Sequence, residues 1–439
     1  MFFGHRPQER PIRSLVTLYV GWKALLLLVA ACSPGPGYDT SASLVEPGQG
    51  PELPWALRYL VGKLTRWDAV YFVQLSTRGY LFEQEWAFGW GFTRLITACT
   101  TVFRSIGVTA YEGLEGLVAI CIAHVSHLLS VLAVFSLTRA LFPNASVNFA
   151  FTAAVLHIIS PAGLFLSAPY AESACALMSF VGCMLFTKGL LDKGSNTASH
   201  DLLLLFSGIC FGIATSFRSN GILNGTLLLE EACKALYDLR NGWQLPRVRR
   251  LIATGLGGMS VGAGFVLPQY IAYSEYCGGR DTVARPWCER GLPSIYTFVQ
   301  DHYWDCGLFR YWKWTNLPLF LLAAPMFAIL TVSGLWGLSF DADRQQEPTT
   351  TLKGNRKDHG TRQVLRNLAF SQLMLVIVTL TTAHVQIITR ISSAYPLWLW
   401  YGSLISKERN TLLGGNLVQF MVIYALVQGA LFASFLPPA

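Results

Sequence analysis

The chain has 439 residues, of which 52% are hydrophobic and only 13% are charged, and its net charge is +8. Soluble globular proteins carry about 25% charged residues, so this chain keeps most of its length out of water. The positive charge forms no dense basic stripe with interleaved aromatic residues, which argues against a nucleic-acid-binding protein. Composition therefore predicts an integral membrane protein whose basic loops face the cytoplasm.

The hydrophobic runs predict the number of membrane helices. A bilayer core requires about 20 apolar residues per helix, and the runs predict eleven spans, near residues 14–32, 114–141, 147–167, 174–190, 202–216, 221–237, 251–273, 316–338, 367–385, 395–406 and 411–436. The sixth and tenth are short, and Glu230, Glu231 and Lys234 interrupt the sixth. We therefore predict an all-α integral membrane protein with about 8–11 transmembrane helices. The first run resembles a cleaved signal peptide, but an uncleaved helix suits a chain that inserts so many others.

The loops predict the orientation. The two most basic internal connections, residues 238–250 and 340–366, should be cytoplasmic, as should the N-terminus, and a count of eleven spans satisfies all three. A first loop over residues 33–113, a second large loop over 274–315, and the turns 167–173, 217–220 and 384–394 then share the opposite side. Cys277, Cys288 and Cys306 lie in the second loop, where an oxidising lumen would permit a disulfide.

The first loop of the opposite side holds carboxylates among aromatic residues. Asp68 stands in the segment 66–72, and Glu83 and Glu85 stand in the segment 79–88. Aromatic faces bind sugars and also sit at membrane interfaces. Surroundings that exclude water make a carboxylate more basic, which suits a general base. The alternative is an interfacial loop in which Asp68 only pairs with Arg66.

Other connections on this side also carry charged residues. Glu172 follows a helix break made by two prolines, Arg218 stands between two apolar runs, and His384 and Arg390 follow the ninth span. Such a carboxylate is costly unless it is paired or used, although Glu172 could simply cap a helix and Arg218 could extend to the interface. A carboxylate base together with cations on one face predicts group transfer from a phosphate leaving group.

Two further interpretations of the polar residues are less favoured. His124 and His127 have a spacing that can bind a metal, but without an acidic or cysteine partner they, like His157, are expected to pack between helices. A transporter would place its ionisable residues near the middle of the membrane, often in paired repeats. The sequence contains no evident repeat, and its charges stand at one boundary.

Several blocks between about Thr65 and Arg390 recur together in one known family. They are residues 66–72, 79–88, 160–173, 218–221, 303–311, 321–325 and 384–386. In this order they resemble the GPI mannosyltransferase 2 family, which adds the second mannose of the glycosylphosphatidylinositol (GPI) anchor. The resemblance implies a single GT-C membrane domain over residues 1–439, a multispanning helical bundle in the endoplasmic reticulum membrane with a luminal active site.

The resemblance also implies the substrates. The donor would be dolichol phosphate mannose and the acceptor a mannosyl-glucosaminyl-phosphatidylinositol, joined by an α-1,6 bond without a cofactor, while metal dependence stays open. In fungi the family has a small membrane partner subunit. An enzyme of the same fold that acts on an N-glycan or a protein is the alternative, and only the ordered set of blocks argues against it.

The resemblance assigns roles to individual residues. A β-linked donor that gives an α product requires inversion, hence one displacement with one base, and Asp68 occupies the position of the acidic residue in the first GT-C loop. We expect Glu83, Glu85 and Glu172 to bind acceptor hydroxyls, and Arg218, His384 and Arg390 to bind the donor phosphate. The expected substrate-binding residues are Arg66, Trp67, Glu83, Glu85, Glu172, Arg218, Asn220, His384 and Arg390. Gly89 and Trp90 depart from the phenylalanine and proline of the family pattern, so we expect a differently shaped acceptor pocket.

Overall fold

The computed structural model describes residues 9–35, 50–191, 198–278, 285–340, 354–407 and 412–437. Within these ranges the chain is helical, and β-structure is limited to an isolated bridge between Glu52 and Glu112. The α-helices in chain order are α1 Pro11–Cys32, α2 Trp55–Leu64, α3 Asp68–Arg78, α4 Trp90–Ser105, α5 Leu114–Leu141, α6 Val147–Ile158, α7 Glu172–Leu191, α8 Ala198–Phe217, α9 Gly225–Asp238, α10 Leu245–Cys277, α11 Ile295–His302, α12 Leu317–Leu338, α13 Gly354–Thr382, α14 Ile388–Ile391, α15 Leu397–Lys407 and α16 Leu412–Ala433.

Eight of the helices in the described ranges are long and apolar enough to cross a membrane, namely α1, α5, α7, α8, α10, α12, α13 and α16. The prediction of an all-α, multispanning membrane protein is thereby confirmed. The predicted spans at 147–167, 221–237 and 395–406 are instead helices of 12, 14 and 11 residues. They are too short to cross a bilayer core alone, because a span needs about 20 residues.

The predicted loops contain more secondary structure than their polarity indicated. Residues 33–113 include α2, α3 and α4, so this connection is a folded unit in the part that the structure describes. The connection 340–366 includes the start of α13 at Gly354, while residues 341–353 lie outside the described ranges.

We call the end of the bundle at Cys32, Phe217 and Thr382 the upper end, and the opposite end the lower end. At the lower end, the hydroxyl of Thr361 donates to the carbonyl of Leu141 at 3.3 Å, and α9 is tied to α13 through side chains. Both basic connections lie at this end in their described parts. The predicted site residues lie at the upper end.

Polar residues of the lower end are paired with one another. Arg250 donates to the buried carboxylate of Glu231 at 2.7 Å, and Arg366 donates to Glu230 at 2.7 Å. Arg249 pairs with Asp201 on α8. The carboxylates that interrupt the sixth hydrophobic run therefore join α9 to α10 and α13, and Asp201 joins α8 to α10.

The three central histidines hydrogen-bond within the bundle. The hydroxyl of Ser130 lies 2.7 Å from Nε2 of His157, and Nε2 of His127 lies 3.3 Å from the carbonyl of His157. Nδ1 of His124 bonds to the carbonyl of Ile120 at 2.8 Å. Among the described residues no group of three or more His, Cys, Asp or Glu side chains stands close enough to hold a metal ion.

Glycines bring α8 and α10 into direct backbone contact. A Cβ atom at Gly208 would overlap Gly257, and a Cβ at Gly264 would overlap the carbonyl oxygen of Gly212. Small residues permit this approach between membrane helices. It fixes the end of α8, which precedes Arg218, against the second half of α10.

Candidate active site

A cavity of about 330 Å³ opens at the upper end of the bundle. Its wall is built from α3, the aromatic segment 86–90, the turn after α8, helices α10 and α11, and the segment 383–390. Four of the predicted site residues line it, namely Asp68, Arg218, His384 and Arg390. Segments that are more than 300 residues apart in the chain thus contribute charged groups to a common space.

An ion-pair chain connects the two arginines to two carboxylates. Oε1 of Glu172 accepts hydrogen bonds from Nη1 of Arg218 at 3.0 Å and from Nε of Arg390 at 2.9 Å. Arg390 also lies 3.3 Å from Oδ2 of Asp68 through both terminal nitrogens. The Glu172 side chain is 0% exposed whereas that of Asp68 is 41% exposed. Asp68 therefore faces the cavity, and Glu172 supports the arginines from beneath.

Aromatic rings enclose the guanidinium of Arg390. Its central carbon lies 4.4 Å from the ring centroid of Phe165 and 4.7 Å from that of Tyr170. Burial alone would lower the pKa of Arg390, but the carboxylate of Glu172, Tyr170 and the carboxylate of Asp68 together raise it above its ordinary value. Arg390 is therefore a fixed positive charge at any physiological pH.

The loop that carries Phe165 and Tyr170 is held from the membrane side. The buried ammonium of Lys23, on α1, donates to the carbonyl of Leu166 at 2.9 Å and to the hydroxyl of Ser167 at 2.7 Å. Ser173 donates to the same carbonyl at 3.0 Å. These bonds satisfy polar groups that would otherwise be buried unpaired, and they fix the start of α7, where Glu172 stands.

Asp68 is positioned by a strained turn. It is the first residue of α3, and the preceding Trp67 has a φ of 54°, a conformation that is uncommon for a bulky residue. The Trp67 ring packs on Phe435 at 5.1 Å, and the guanidinium of Arg66 lies over the same ring at 5.1 Å. Neither Arg66 nor Trp67 lines the cavity. The helix N-terminus stabilises the carboxylate that follows them.

Glu83 and Glu85 also lie outside the cavity lining. Both are buried: Glu83 accepts from the indole nitrogen of Trp287 at 2.8 Å, and Glu85 accepts from the backbone nitrogens of Leu81 and Phe82 at 2.8 and 3.0 Å. Their partners belong to the protein, and they hold the segment that presents Trp86, Ala87 and Phe88 to the cavity.

A disulfide between Cys277 and Cys288 connects the end of α10 to the part of the second loop that contacts this aromatic segment. Cys288 directly follows Trp287, the partner of Glu83, so the disulfide fixes the indole relative to the end of α10. Cys306, the third cysteine of the loop, is buried and has a free thiol. Its burial raises the pKa of the thiol to about 11, so it stays protonated near neutral pH.

We predict that Glu83→Ala destabilises the protein by about 1–3 kcal/mol without abolishing its activity, because it leaves the buried Trp287 indole without an acceptor. Thermal unfolding in detergent measures this. The matched variant Glu83→Gln keeps an oxygen for the indole and should lose less stability. Complete loss of activity in Glu83→Gln, with normal unfolding, would instead place Glu83 in direct contact with substrate.

The two remaining predicted residues differ in position. His384 lines the cavity, its Nε2 lies 3.1 Å from the carbonyl of Trp304, and its ring contacts Tyr311 at 4.8 Å. Since a carbonyl only accepts, Nε2 carries a proton in this bond. Asn220 does not line the cavity, and its carbonyl accepts from the Tyr395 hydroxyl at 3.0 Å. Asn220 thus fixes the turn that follows Arg218.

Gly89, one of the two departures from the family pattern, is explained by close contact with α8. A Cβ at Gly89 would overlap the backbone of Phe217, and a Cβ at Gly91 would overlap the side chain of Ser216. This contact places Trp90 in the cavity wall beside the residues that precede Arg218. At this point the shape of the pocket depends on glycine at positions 89 and 91, where a side chain would not fit.

Several neutral residues line the cavity although the sequence analysis did not select them. They are Gln269, Tyr296, Gln300, Trp304, Gln386, Tyr424 and Gln428. Neutral amides and phenols lack the charge pattern by which the other residues were found. Two sequence signals could have indicated some of them: Pro268 interrupts α10 just before Gln269, and Trp304 and Gln386 stand within the blocks shared with the family.

The bundle and its site define a membrane-embedded glycosyltransferase, with a carboxylate and two arginines on the wall of an aromatic cavity. The chain matches the family described as Mannosyltransferase (PIG-V) over residues 13–439, and it belongs to this family. The resemblance inferred from the ordered blocks is thereby confirmed.

Curated relatives match most of the chain. The protein is 43% identical over 444 residues to GPI mannosyltransferase 2 of Gibberella zeae, covering 98% of this chain and 99% of the relative. It is 29% identical over 392 residues to GPI alpha-1,6-mannosyltransferase 2 of Cricetulus griseus, covering 81% and 75%. Among solved structures, the oligosaccharyltransferase AglB of Archaeoglobus fulgidus, in complex with an inhibitory peptide and a dolichol-phosphate, matches with a TM-score of 0.43 and 14% identity over 95% of this chain and 56% of that chain.

Proposed function

We propose that this protein transfers the second mannose of the GPI anchor from dolichol phosphate mannose to the precursor lipid, forming an α-1,6 bond. Membership of the mannosyltransferase family and the names of its relatives support the reaction and the linkage. The observation that carries the proposal is the presence of Asp68, Arg218 and Arg390 on the wall of one cavity. A GT-C bundle in the endoplasmic reticulum membrane is the expected setting.

The site is proposed to face the lumen. The basic connections lie at the lower end, and such connections favour the cytoplasmic side, which leaves the upper end for the lumen. A lipid-linked donor keeps its phosphate at the membrane surface, at the level where the upper-end arginines would meet it. A small membrane partner subunit, known for the family in fungi, stays a prediction.

In the proposed reaction Asp68 accepts the proton of the attacking acceptor hydroxyl. The hydroxyl oxygen bonds to the anomeric carbon from the face opposite the phosphate, the bond from that carbon to the phosphate oxygen breaks, and the phosphate leaves with the electron pair. The configuration is inverted, so a β-linked donor gives an α product. Arg218 and Arg390 stabilise the charge that develops on the leaving group.

The ion-pair chain matches this change in charge. Two arginines and two carboxylates leave the cluster formally neutral before reaction. When Asp68 takes the proton, the cluster gains one positive charge as the dolichol phosphate gains one negative charge. Arg390 then loses its ionic partner Asp68 at the moment when the leaving phosphate needs one. Glu172 is a positioning residue in this scheme, because it is buried beneath both arginines.

The experiment uses microsomes from cells that lack the second-mannose activity and express this chain. We expect that supplying radiolabelled dolichol phosphate mannose converts the one-mannose GPI intermediate to the two-mannose product, whereas vector-only microsomes do not. Persistence of the one-mannose intermediate at normal protein levels would overturn the proposal. Label in an N-glycan precursor or a protein instead would support the alternative acceptor.

A further inference from the structure

Helix α10 presents polar groups to the cavity where its hydrogen bonding is interrupted. Pro268 lies inside the helix and has no N–H to donate to the carbonyl of Gly264, one turn earlier. Gly264, Pro268 and the next residue, Gln269, all line the cavity. A membrane helix tolerates such an interruption where it borders a cavity.

The carboxamide of Gln269 is held in one orientation. Its Oε1 accepts from the hydroxyl of Ser294 at 3.0 Å and from the backbone nitrogen of Tyr296 at 3.1 Å. Because a backbone N–H can only donate, the atom that faces it must be the amide oxygen. The two protons of the amide nitrogen are therefore not used by these contacts, and the side chain that carries them borders the cavity.

The neighbouring wall is also neutral and polar. Tyr296 and Gln300, on α11, line the same cavity, and the Tyr296 hydroxyl lies 2.9 Å from the hydroxyl of Ser219. Ser219 directly follows Arg218. The cavity thus has a charged part at Asp68, Arg218 and Arg390 that continues into a part with neutral hydrogen-bonding groups.

The two parts suit different portions of a sugar phosphate. Guanidinium groups match phosphate oxygens, whereas a few precisely placed neutral donors fix the orientation of an uncharged ligand in a pocket. We propose that the Gln269 carboxamide donates a hydrogen bond to a sugar hydroxyl of a bound substrate and so determines specificity for that hydroxyl. This inference rests on the proposed mannosyl transfer, and it covers a hydroxyl of the donor mannose or of the acceptor glycan.

The decisive variant is Gln269→Glu, which keeps a side-chain oxygen for Ser294 and Tyr296 but removes the amide protons. Initial rates are measured with the donor and the acceptor varied in turn. The KM for one substrate should rise about tenfold, which is the effect of losing one hydrogen bond between uncharged groups, while kcat changes less. The substrate whose KM rises is the source of the hydroxyl.

Two further variants distinguish the loss of a hydrogen bond to substrate from an effect of the introduced charge and from an effect on the structure of the site. Gln269→Leu is neutral and should raise the same KM, which excludes simple repulsion of a phosphate by the introduced glutamate. Ser294→Ala removes one of the two bonds that orient the carboxamide and also the cap that Ser294 provides to the Thr297 backbone nitrogen of α11. Because the Tyr296 backbone nitrogen still holds the amide oxygen, this variant should raise the same KM by less than Gln269→Leu does. Unfolding temperatures in detergent identify any variant that fails to fold, and Gln269→Glu retains both internal bonds.

Wild-type KM values in Gln269→Glu for both substrates would overturn this inference. A rise in KM for Ser294→Ala as large as that for Gln269→Leu, with none for Gln269→Glu, would assign Gln269 a structural role instead and would equally overturn it. Absence of any transfer by the wild-type chain would reject the proposed function itself, so the two failures are distinguishable.

Discussion

Asp68→Asn should lower kcat for mannose transfer by about a thousandfold, because a general base contributes about 10²–10⁴ to the rate. Asparagine has nearly the same shape but cannot accept the proton of the attacking hydroxyl at neutral pH. Asp68 is partly exposed to the cavity and its ionic partner is Arg390, so the fold should persist. Single-turnover transfer in microsomes, normalised to protein level, measures the effect.

Asp305→Asn is the matched control for this variant. Asp305 lies at the upper end as well, but its side chain is 61% exposed and pairs with Lys313. Its φ of 50° is one that asparagine adopts readily, and exposed ion pairs contribute little. This control should retain wild-type kcat. If Asp68→Asn retained it too, the base would have to be sought elsewhere and the single displacement at Asp68 would be abandoned.

Glu172→Ala should destabilise the protein by about 3–5 kcal/mol, the cost of removing one partner from a buried ion pair. Two guanidinium groups, those of Arg218 and Arg390, would be left in an apolar setting without the carboxylate that separates them. We also expect transfer to fall to background, because the phosphate-binding groups would no longer hold their positions. Thermal unfolding in detergent measures the first effect, and the initial rate of transfer measures the second.

Glu230→Ala provides the comparison, since Glu230 also accepts an arginine hydrogen bond but is partly exposed at the lower end. It should cost less than about 1 kcal/mol. The conservative variant Glu172→Gln retains the size of the side chain and should be intermediate in stability. Normal unfolding and normal donor KM in Glu172→Ala would show that the arginines do not depend on Glu172.

The long helices could be predicted because apolar length alone identifies them, as in α5 and α12. The same criterion overestimated the length of the helix in three segments. The run 147–167 counts as one apolar stretch, yet α6 ends at Ile158, because the residue before Pro161 is restricted away from helical geometry. A hydropathy profile does not contain information about such a backbone restriction. It also does not predict that Glu231 is buried in a pair with Arg250.

The charged part of the site could be predicted from the side of the membrane on which each charge falls, as for Asp68 and Arg218. The side of the membrane on which a carboxylate lies does not predict whether it faces a cavity or pairs with another protein group. Glu83 is paired with Trp287, which stands 204 positions further along the chain, and no local pattern indicates such a partner. Gln269 was missed because a neutral amide inside an apolar helix changes hydropathy very little.

The backbone contact between α8 and α10 has a consequence for substrate selection. The glycines at the crossing have no side chains that could move to change the helix separation. Main-chain contacts therefore set the distance between Arg218, which follows α8, and the Gln269 amide on α10. A ligand that contacts Arg218 and Gln269 together must match this fixed span. Sugar phosphates would then be selected by the distance between their phosphate and one sugar hydroxyl, and a bulkier residue at Gly212 or Gly264 would change the distance that is preferred.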